Sequence, residues 1–71
     1  MSANPTLTII IPVFNEEESL NKLYEEINSV IGDYSAEILF IDDGSTDSSF
    51  DIICSLADRD NRVKGLQFYK N

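Results

Sequence analysis

The stretch that decides the fold is Ile38-Leu39-Phe40-Ile41-Asp42-Asp43-Gly44-Ser45-Thr46-Asp47. Four apolar residues end abruptly in two carboxylates, a glycine, two hydroxyls and a third carboxylate. An apolar run of this length, bounded by turn residues, predicts a strand that is buried on both faces. Because open α/β sheets bind their ligands at the carboxyl ends of strands, the polar residues after Ile41 predict an acidic binding site.

The composition limits the classes of function open to this chain. At 71 residues with 42% hydrophobic content it predicts one small globular unit. Its net charge of −8, from 13 acidic and 5 basic residues, argues against nucleic acid or an anionic membrane surface as a partner. The single cysteine, Cys54, and the absence of histidine exclude an internal disulfide, a cysteine-based metal cluster and imidazole chemistry, and favour a reducing compartment.

Three apolar runs predict strands. The first covers Leu7 to Ile11, and Pro12 is expected to close it because proline lacks a backbone donor. The second covers about residues 36–42, and the third covers 63–68 and is predicted to lie at an edge because it is less apolar. Residues 1–6 are interpreted as an N-terminal tail, too short for a signal peptide or a membrane span.

Two helices are predicted between these strands. Asn15 is expected to cap the first helix, with Glu18 as its capping-box partner. Apolar residues follow at helical spacing until Gly32. Asp47 is expected to cap the second helix. The buried side of that helix is predicted from Phe50, Ile53, Cys54 and Ala57.

The alternation of strand and helix predicts an α/β fold with a parallel βαβαβ sheet. Right-handed crossovers and a strand order of 3-2-1 place both helices on one face. The other face of the first two strands is then bare, although parallel sheets are normally covered on both faces. We therefore expect further chain or a partner subunit there, and self-association of the isolated chain through the uncovered sheet face.

The residue types at the two acidic strand ends favour some ligands over others. Carboxylates accept hydrogen bonds, which suits the N–H edge of a base and the hydroxyls of a ribose better than bare phosphate. The glycine-rich phosphate loops of dinucleotide dehydrogenases and P-loop enzymes are absent from the sequence. Haloacid-dehalogenase-type phosphatases need aspartates separated by one residue, whereas Asp42 and Asp43 are adjacent and diverge. The spacing of the acidic residues in this chain also fits poorly with a receiver domain or an EF-hand.

Purely structural roles explain some of these residues equally well. Helix capping alone accounts for Asn15 and Asp47, and Gly44 is typical of a turn with positive φ. Asp42 and Asp43 are harder to explain in this way, because adjacent carboxylates at the end of a buried strand repel each other and lose solvation. A ligand or a metal nearby would compensate that cost.

Two motifs about 20 residues apart, LTIIIPVFNEE at 7–17 and EILFIDDGSTD at 37–47, together resemble the family-two glycosyltransferases. Their fold is the three-layer, Rossmann-like GT-A fold. The likeness covers residues 7–71 and implies that they form the incomplete N-terminal, nucleotide-binding βαβαβ half of that domain. The segment 66–71 resembles the polyprenyl-phosphate branch, which includes dolichyl-phosphate mannosyltransferases and bactoprenol glucosyltransferases.

The resemblance also implies a binding site for the nucleotide-sugar donor, a UDP- or GDP-sugar. Its implied members are Pro12, Phe14, Glu16, Asp42 and Asp43. The first three line the base pocket, with Glu17 beside them, and the two aspartates contact base or ribose. A divalent cation, Mg or Mn, is implied in the full-length enzyme. In the family the metal-binding D-x-D motif follows the fourth strand, and the catalytic base lies further on. Neither the ligands of the cation nor the catalytic base is therefore expected in this chain.

Two functions remain open from the sequence. One is the opening segment of a glycosyltransferase that transfers sugar to an acceptor, with a polyprenyl phosphate as the acceptor of the branch it resembles. Such an enzyme is expected in the cytoplasm or on the cytoplasmic face of a membrane, and the isolated chain is expected to be inactive. The other is a truncated, catalytically inactive nucleotide-binding module. A reading frame that continues downstream with a D-x-D motif would distinguish them.

Overall fold

The computed structural model describes residues 7–69, which form a three-stranded sheet and two helices. In chain order the elements are β1 (Leu7–Val13), α1 (Leu20–Ile31), β2 (Ala36–Asp42), α2 (Ser49–Arg59) and β3 (Val63–Gln67). The predicted βαβαβ order is confirmed. The predicted tail at 1–6 and the end of the family-like segment at 70–71 lie outside the described residues.

The sheet is parallel and has the order β1-β2-β3, which is the predicted 3-2-1 order read from the other edge. β3 is an edge strand, as its lower apolar content predicts. The register pairs Val13 with Asp42 and Asp42 with Gln67. All three strands therefore end at the same level, and the two acidic loops leave the sheet side by side.

The two faces of the sheet differ in how well they are covered. Along β2, Ala36, Ile38 and Phe40 face the helices and are at most 7% exposed. α1 and α2 lie next to each other on that face, and with the sheet they enclose the core. On the other face, Ile10 is 60% exposed and Leu66 is 50% exposed. Within residues 7–69, both helices therefore lie on one face and leave the other apolar face bare, as predicted.

Pro12 lies inside β1, and the expectation that it ends the strand is wrong. The Leu7 N–H donates to the Ser35 carbonyl at 3.2 Å, and the Val13 carbonyl accepts the Asp43 N–H at 2.9 Å. The backbone groups of these residues therefore point towards β2. Pro12 is one position out of phase, so its missing N–H points away from β2 and costs the ladder no hydrogen bond.

The start of α1 also differs from the prediction. The helix begins at Leu20 after a turn at 17–19, and the Glu16 carbonyl accepts the Ser19 and Leu20 N–H groups at 3.0 and 3.1 Å. Asn15 does not cap α1, because its side chain binds the other acidic loop. The predicted end is confirmed at Gly32, which has φ +52°.

The start of α2 agrees better with its prediction. Oδ1 of Asp47 accepts the Ser49 N–H at 2.9 Å, so Asp47 satisfies one of the free donors of the first turn even though Ser48 occupies the N-cap position. The predicted buried side is wrong at Cys54, which is exposed, whereas Leu56 is buried. Neither helix in residues 7–69 is long and apolar enough to cross a membrane.

Candidate functional site

Two loops meet at the carboxyl ends of β1 and β2: the β1–α1 loop, residues 14–19, and the β2–α2 loop, residues 43–48. Asn15 joins them through both its backbone and its side chain. Its N–H donates to Oγ of Ser45 at 2.8 Å. Its Oδ1 accepts the N–H groups of Thr46 and Asp47 at 2.8 and 3.3 Å. Residues about thirty positions apart in sequence are thereby held in one structure.

The next two residues of the β1–α1 loop continue this junction. The Glu16 N–H donates to Oγ of Ser49 at 2.8 Å, and the Glu17 N–H donates to Oδ2 of Asp47 at 3.2 Å. In return, Oε1 of Glu17 accepts the Ser48 N–H at 2.7 Å. The Glu17 carboxylate thus lies at the positive end of the α2 dipole, where negative charge is stabilised.

Asp42 is buried, whereas Asp43, the next residue, is exposed. Asp42 lies on the same face of β2 as Phe40 and is fully buried. Its Oδ1 accepts the Ser45 N–H at 2.7 Å, which folds the chain back around Gly44, whose φ is +84°. Its Oδ2 has no hydrogen-bond partner among residues 7–69. A buried carboxylate oxygen without a partner is costly, so this oxygen is a position at which a hydrogen-bond donor would be favourable.

The other four predicted site residues lie on the surface at this edge of the sheet. Asp43 follows β2 directly and is exposed. Phe14 is 47% exposed although it is a large apolar ring, and it follows β1 in the same way. Pro12 and Glu16 flank it and are exposed. The structure therefore brings the predicted residues to one edge, with Asp43 accessible and Asp42 beneath the surface.

Beside this edge lies an acidic depression of about 430 Å³. Its lining consists of Asn15, Glu16, Glu17, Glu18, Ser19 and Asp47. Burial by itself would raise the pKa of Asp47, but hydrogen bonds from Ser49 and from the Glu17 N–H lower it below the ordinary value. The hydrogen bond from the Glu17 N–H to Oδ2 of Asp47 also joins the two loops.

The described residues do not fit a divalent cation. No group of three or more acidic, cysteine or histidine side chains in residues 7–69 could hold a metal ion. Asp58-Arg59-Asp60 has D-x-D spacing, but it lies where α2 ends and the chain turns into the amino end of β3. Asp60 is moreover occupied there, since it accepts hydrogen bonds from Tyr24 at 2.7 Å and from Arg62.

Sequence reasoning missed the part that Ser49 plays and misjudged Asn15. Ser49 is fully buried and accepts the Glu16 N–H through a hydroxyl that no motif highlights. Asn15 has φ +52° and is the only non-glycine residue among residues 7–69 with a positive φ. Asparagine tolerates this conformation better than most residues, which is the one signal that could have pointed away from a helix cap.

Comparison with known proteins places this site in a family. The model of the family described as Glycosyl transferase family 2 matches residues 8–71. The chain belongs to that family. The strand ends and the two joined loops all fall within the match, and the alternating parallel βαβαβ arrangement agrees with the N-terminal half of a Rossmann-like GT-A fold.

Curated relatives support the same assignment. The chain is 35% identical to the uncharacterized glycosyltransferase YkoT of Bacillus subtilis (strain 168), over 97% of the chain and 23% of the relative. It is 39% identical to the prophage bactoprenol glucosyl transferase homolog of Escherichia coli (strain K12), over 92% and 22%. It is 40% identical to an uncharacterized glycosyltransferase of Haemophilus influenzae, over 84% and 24%. The chain therefore spans less than a quarter of the length of these relatives.

Proposed function

We propose that this chain binds the nucleoside part of a nucleotide-sugar donor, a UDP- or GDP-sugar, for a family-two glycosyltransferase reaction. One observation carries the proposal: Phe14 and Asp43 follow neighbouring parallel strands whose last residues, Val13 and Asp42, are paired in register. An exposed ring and an exposed carboxylate are thus presented at one edge of the sheet. This is the edge at which open α/β sheets bind ligands.

The exposed groups suit a nucleoside better than a phosphate. Carboxylate oxygens of Asp43 and Glu16 accept hydrogen bonds from a base N–H or a ribose hydroxyl. The ring of Phe14 offers a surface on which a base can stack, and Pro12 extends that apolar surface. A phosphate near this edge would be repelled by the surrounding carboxylates, so the diphosphate is expected to point away from the acidic depression.

Asp42 is assigned a supporting part in this proposal. Because it is fully buried, it holds the β2–α2 loop through the Ser45 N–H and so sets where Asp43 stands. A direct contact between Asp42 and the base or ribose, as the resemblance implies, would require the unpaired Oδ2 to become accessible. We therefore propose Asp43 as the direct contact and Asp42 as the residue that shapes the loop.

The whole reaction is proposed for a longer protein. Relatives named bactoprenol glucosyl transferases support a polyprenyl acceptor, for which we propose a polyprenyl phosphate. A location in the cytoplasm or on the cytoplasmic face of a membrane stays a prediction. A divalent cation, Mg or Mn, would be held by residues outside 7–69. We expect no sugar transfer by the 71-residue chain alone, which on its own acts as a catalytically inactive nucleotide-binding module.

The test is a nuclear magnetic resonance titration of the ¹⁵N-labelled chain with UDP and with GDP. Saturable shifts at the β1–α1 and β2–α2 loops are expected with at least one of them. Asp43→Ala should weaken binding about tenfold, because a charge-assisted hydrogen bond is lost. Asp33→Ala removes an equal charge from the exposed turn after α1 and should leave the affinity unchanged. Shifts confined to other surfaces, or none with either nucleotide, would refute the proposal.

A further inference from the structure

The conformation of Asn15 is uncommon. Its φ of +52° lies in the left-handed region, which residues with a Cβ rarely adopt and which asparagine and aspartate tolerate better than the others. The preceding residue, Phe14, and the following one, Glu16, both belong to the proposed binding edge. A rare backbone conformation between two residues of this edge points to a role for the conformation in the site.

The left-handed conformation lets the Asn15 side chain reach the other loop. Its single amide oxygen accepts two consecutive backbone N–H groups, those of Thr46 and Asp47. The Thr46 hydroxyl also approaches this oxygen, at 3.4 Å. A capping side chain normally satisfies N–H groups two or three residues ahead of it in its own helix. Asn15 does this for a segment 31 and 32 residues away.

The backbone of Asn15 fixes the same junction from the other side. Its N–H donates to Oγ of Ser45, and the Ser45 N–H in turn donates to Oδ1 of Asp42. Hydrogen bonds therefore connect Asn15, through Ser45, to the carboxylate of Asp42, which precedes Asp43. A change at Asn15 is therefore expected to alter the placement of Phe14 relative to Asp43.

We propose that Asn15 is a positioning residue for nucleoside binding, which sets the separation between Phe14 and Glu16 on one loop and Asp43 on the other. The inference rests on the proposed function, since it concerns the same edge. Asn15 itself contacts no ligand in this assignment. Its amide oxygen acts through the backbone of Thr46 and Asp47.

Two substitutions separate the backbone conformation of Asn15 from its amide. Asn15→Gly keeps the positive φ at no steric cost and removes the oxygen that joins the loops. Asn15→Asp keeps an acceptor of the same shape, and aspartate also tolerates the left-handed region. Asn28→Gly is the matched control, because Asn28 accepts a hydrogen bond from Arg62 away from the site and undergoes the same change of residue type.

The readouts are the dissociation constants for UDP and GDP, from the titration described above, and hydrogen exchange at the Thr46 and Asp47 amides. Asn15→Gly should weaken nucleotide binding about tenfold, since two hydrogen bonds between the loops are lost. Exchange at both amides should accelerate. Asn15→Asp should bind within about threefold of the wild type. Asn28→Gly should lose stability while its affinity and its exchange at both amides stay unchanged.

The possible outcomes are distinguishable. Wild-type affinity in Asn15→Gly would overturn the positioning role and leave the proposed function standing. Weakened binding in Asn28→Gly to the same extent as in Asn15→Gly would also overturn it, because stability alone would then explain both. Failure of the wild-type chain to bind either nucleotide would overturn the proposed function, and the positioning role with it.

Discussion

Ile53 of α2 lies directly against Gly65 of β3. A Cβ built on Gly65 would stand 2.6 Å from Cγ2 of Ile53 and 3.5 Å from the Phe50 ring. The missing side chain therefore lets α2 approach the sheet closely, and Ile53 fills the space and is fully buried. The close contact fixes α2, whose first turn holds Ser49 in the site.

Gly65→Ala should lower the free energy of unfolding by about 1–3 kcal/mol, because the added methyl group overpacks the contact with Ile53. Urea unfolding followed by circular dichroism would measure the change. Lys64→Ala is the control, since Lys64 is exposed on the opposite face of the same strand. Equal stability of Gly65→Ala and the wild type would show that α2 can shift without cost.

Asp60→Asn should weaken the dependence of stability on acid pH. The hydrogen bond from Arg62 holds the pKa of Asp60 well below its usual range, with a further contribution from Tyr24. Asp60 therefore stabilises the folded state above the ordinary aspartate pKa of about 4, and this contribution is lost as the pH falls towards the folded value. The variant should be less stable at neutral pH and should decline less steeply in acid. Asp58→Asn, an exposed position two residues before Asp60, is the matched control and leaves the contact with Arg62 in place.

Tyr24→Phe tests the hydrogen bond between Tyr24 and Asp60 at alkaline pH. The hydrogen bond to Asp60 raises the pKa of Tyr24, and burial adds to the effect. This contribution to stability is complete below the ordinary tyrosine pKa of about 10 and is lost as the pH rises through the folded value. The variant should lose about 1 kcal/mol at neutral pH and show a smaller further loss in alkali, measured by urea unfolding at several pH values. An unchanged alkaline decline in the variant would contradict the assignment.

Asp42→Ala and Asp43→Ala should differ in which property they change. Asp42→Ala leaves the Ser45 N–H without its acceptor and empties a fully buried position, and we expect these losses to outweigh the removal of the unpartnered Oδ2. It should therefore lower both stability, by about 1–3 kcal/mol, and nucleotide affinity. Asp43→Ala removes an exposed group and should lower affinity alone. Unfolding and titration of both variants would measure the contrast. Loss of affinity in Asp42→Ala at full stability would instead indicate that Asp42 itself contacts the ligand.

The bare face of the sheet should make the isolated chain self-associate. Ile10 and Leu66 expose apolar surface there, although the net charge of −8 opposes contact between copies. Sizing chromatography should show association that increases with salt, because salt screens the repulsion. Ile10→Lys should reduce both association and the binding of the dye ANS. A chain that stays monomeric at high salt and does not bind the dye would disprove this prediction.

Much of this fold could be predicted because its signals are local. The run Ile38–Ile41 and the turn after it determine β2, and the helical spacing of apolar residues determines α1. The burial of Asp42 also follows from a local rule, since Ile38, Phe40 and Asp42 alternate onto one face of the strand. In the sequence that alternation separates the two aspartates, but it was not used to predict which of them is buried.

The predictions failed where a residue distant in sequence competes for a side chain, or where the buried face of a helix is misplaced by one residue. Asn15 and Glu18 satisfy the spacing of a capping box, but the Thr46 N–H, 31 residues away, competes successfully for the Asn15 oxygen. Cys54 directly follows Ile53 and so turns away from its face of α2, whereas Leu56, three residues after Ile53, lies on that face and is buried. The residue type of Cys54 does not predict its exposure, because free cysteine is usually buried.

The orientation of Pro12 has a consequence for how the sheet can grow. On the free side of β1, Thr8 and Ile10 offer backbone donors and acceptors, whereas Pro12 offers a carbonyl only. A strand added along that side can form regular backbone hydrogen bonds with the first part of β1, but it lacks one hydrogen bond at Pro12. The ladder would be interrupted just before Phe14, so an added strand would pair less well next to the proposed binding edge than along the first part of β1.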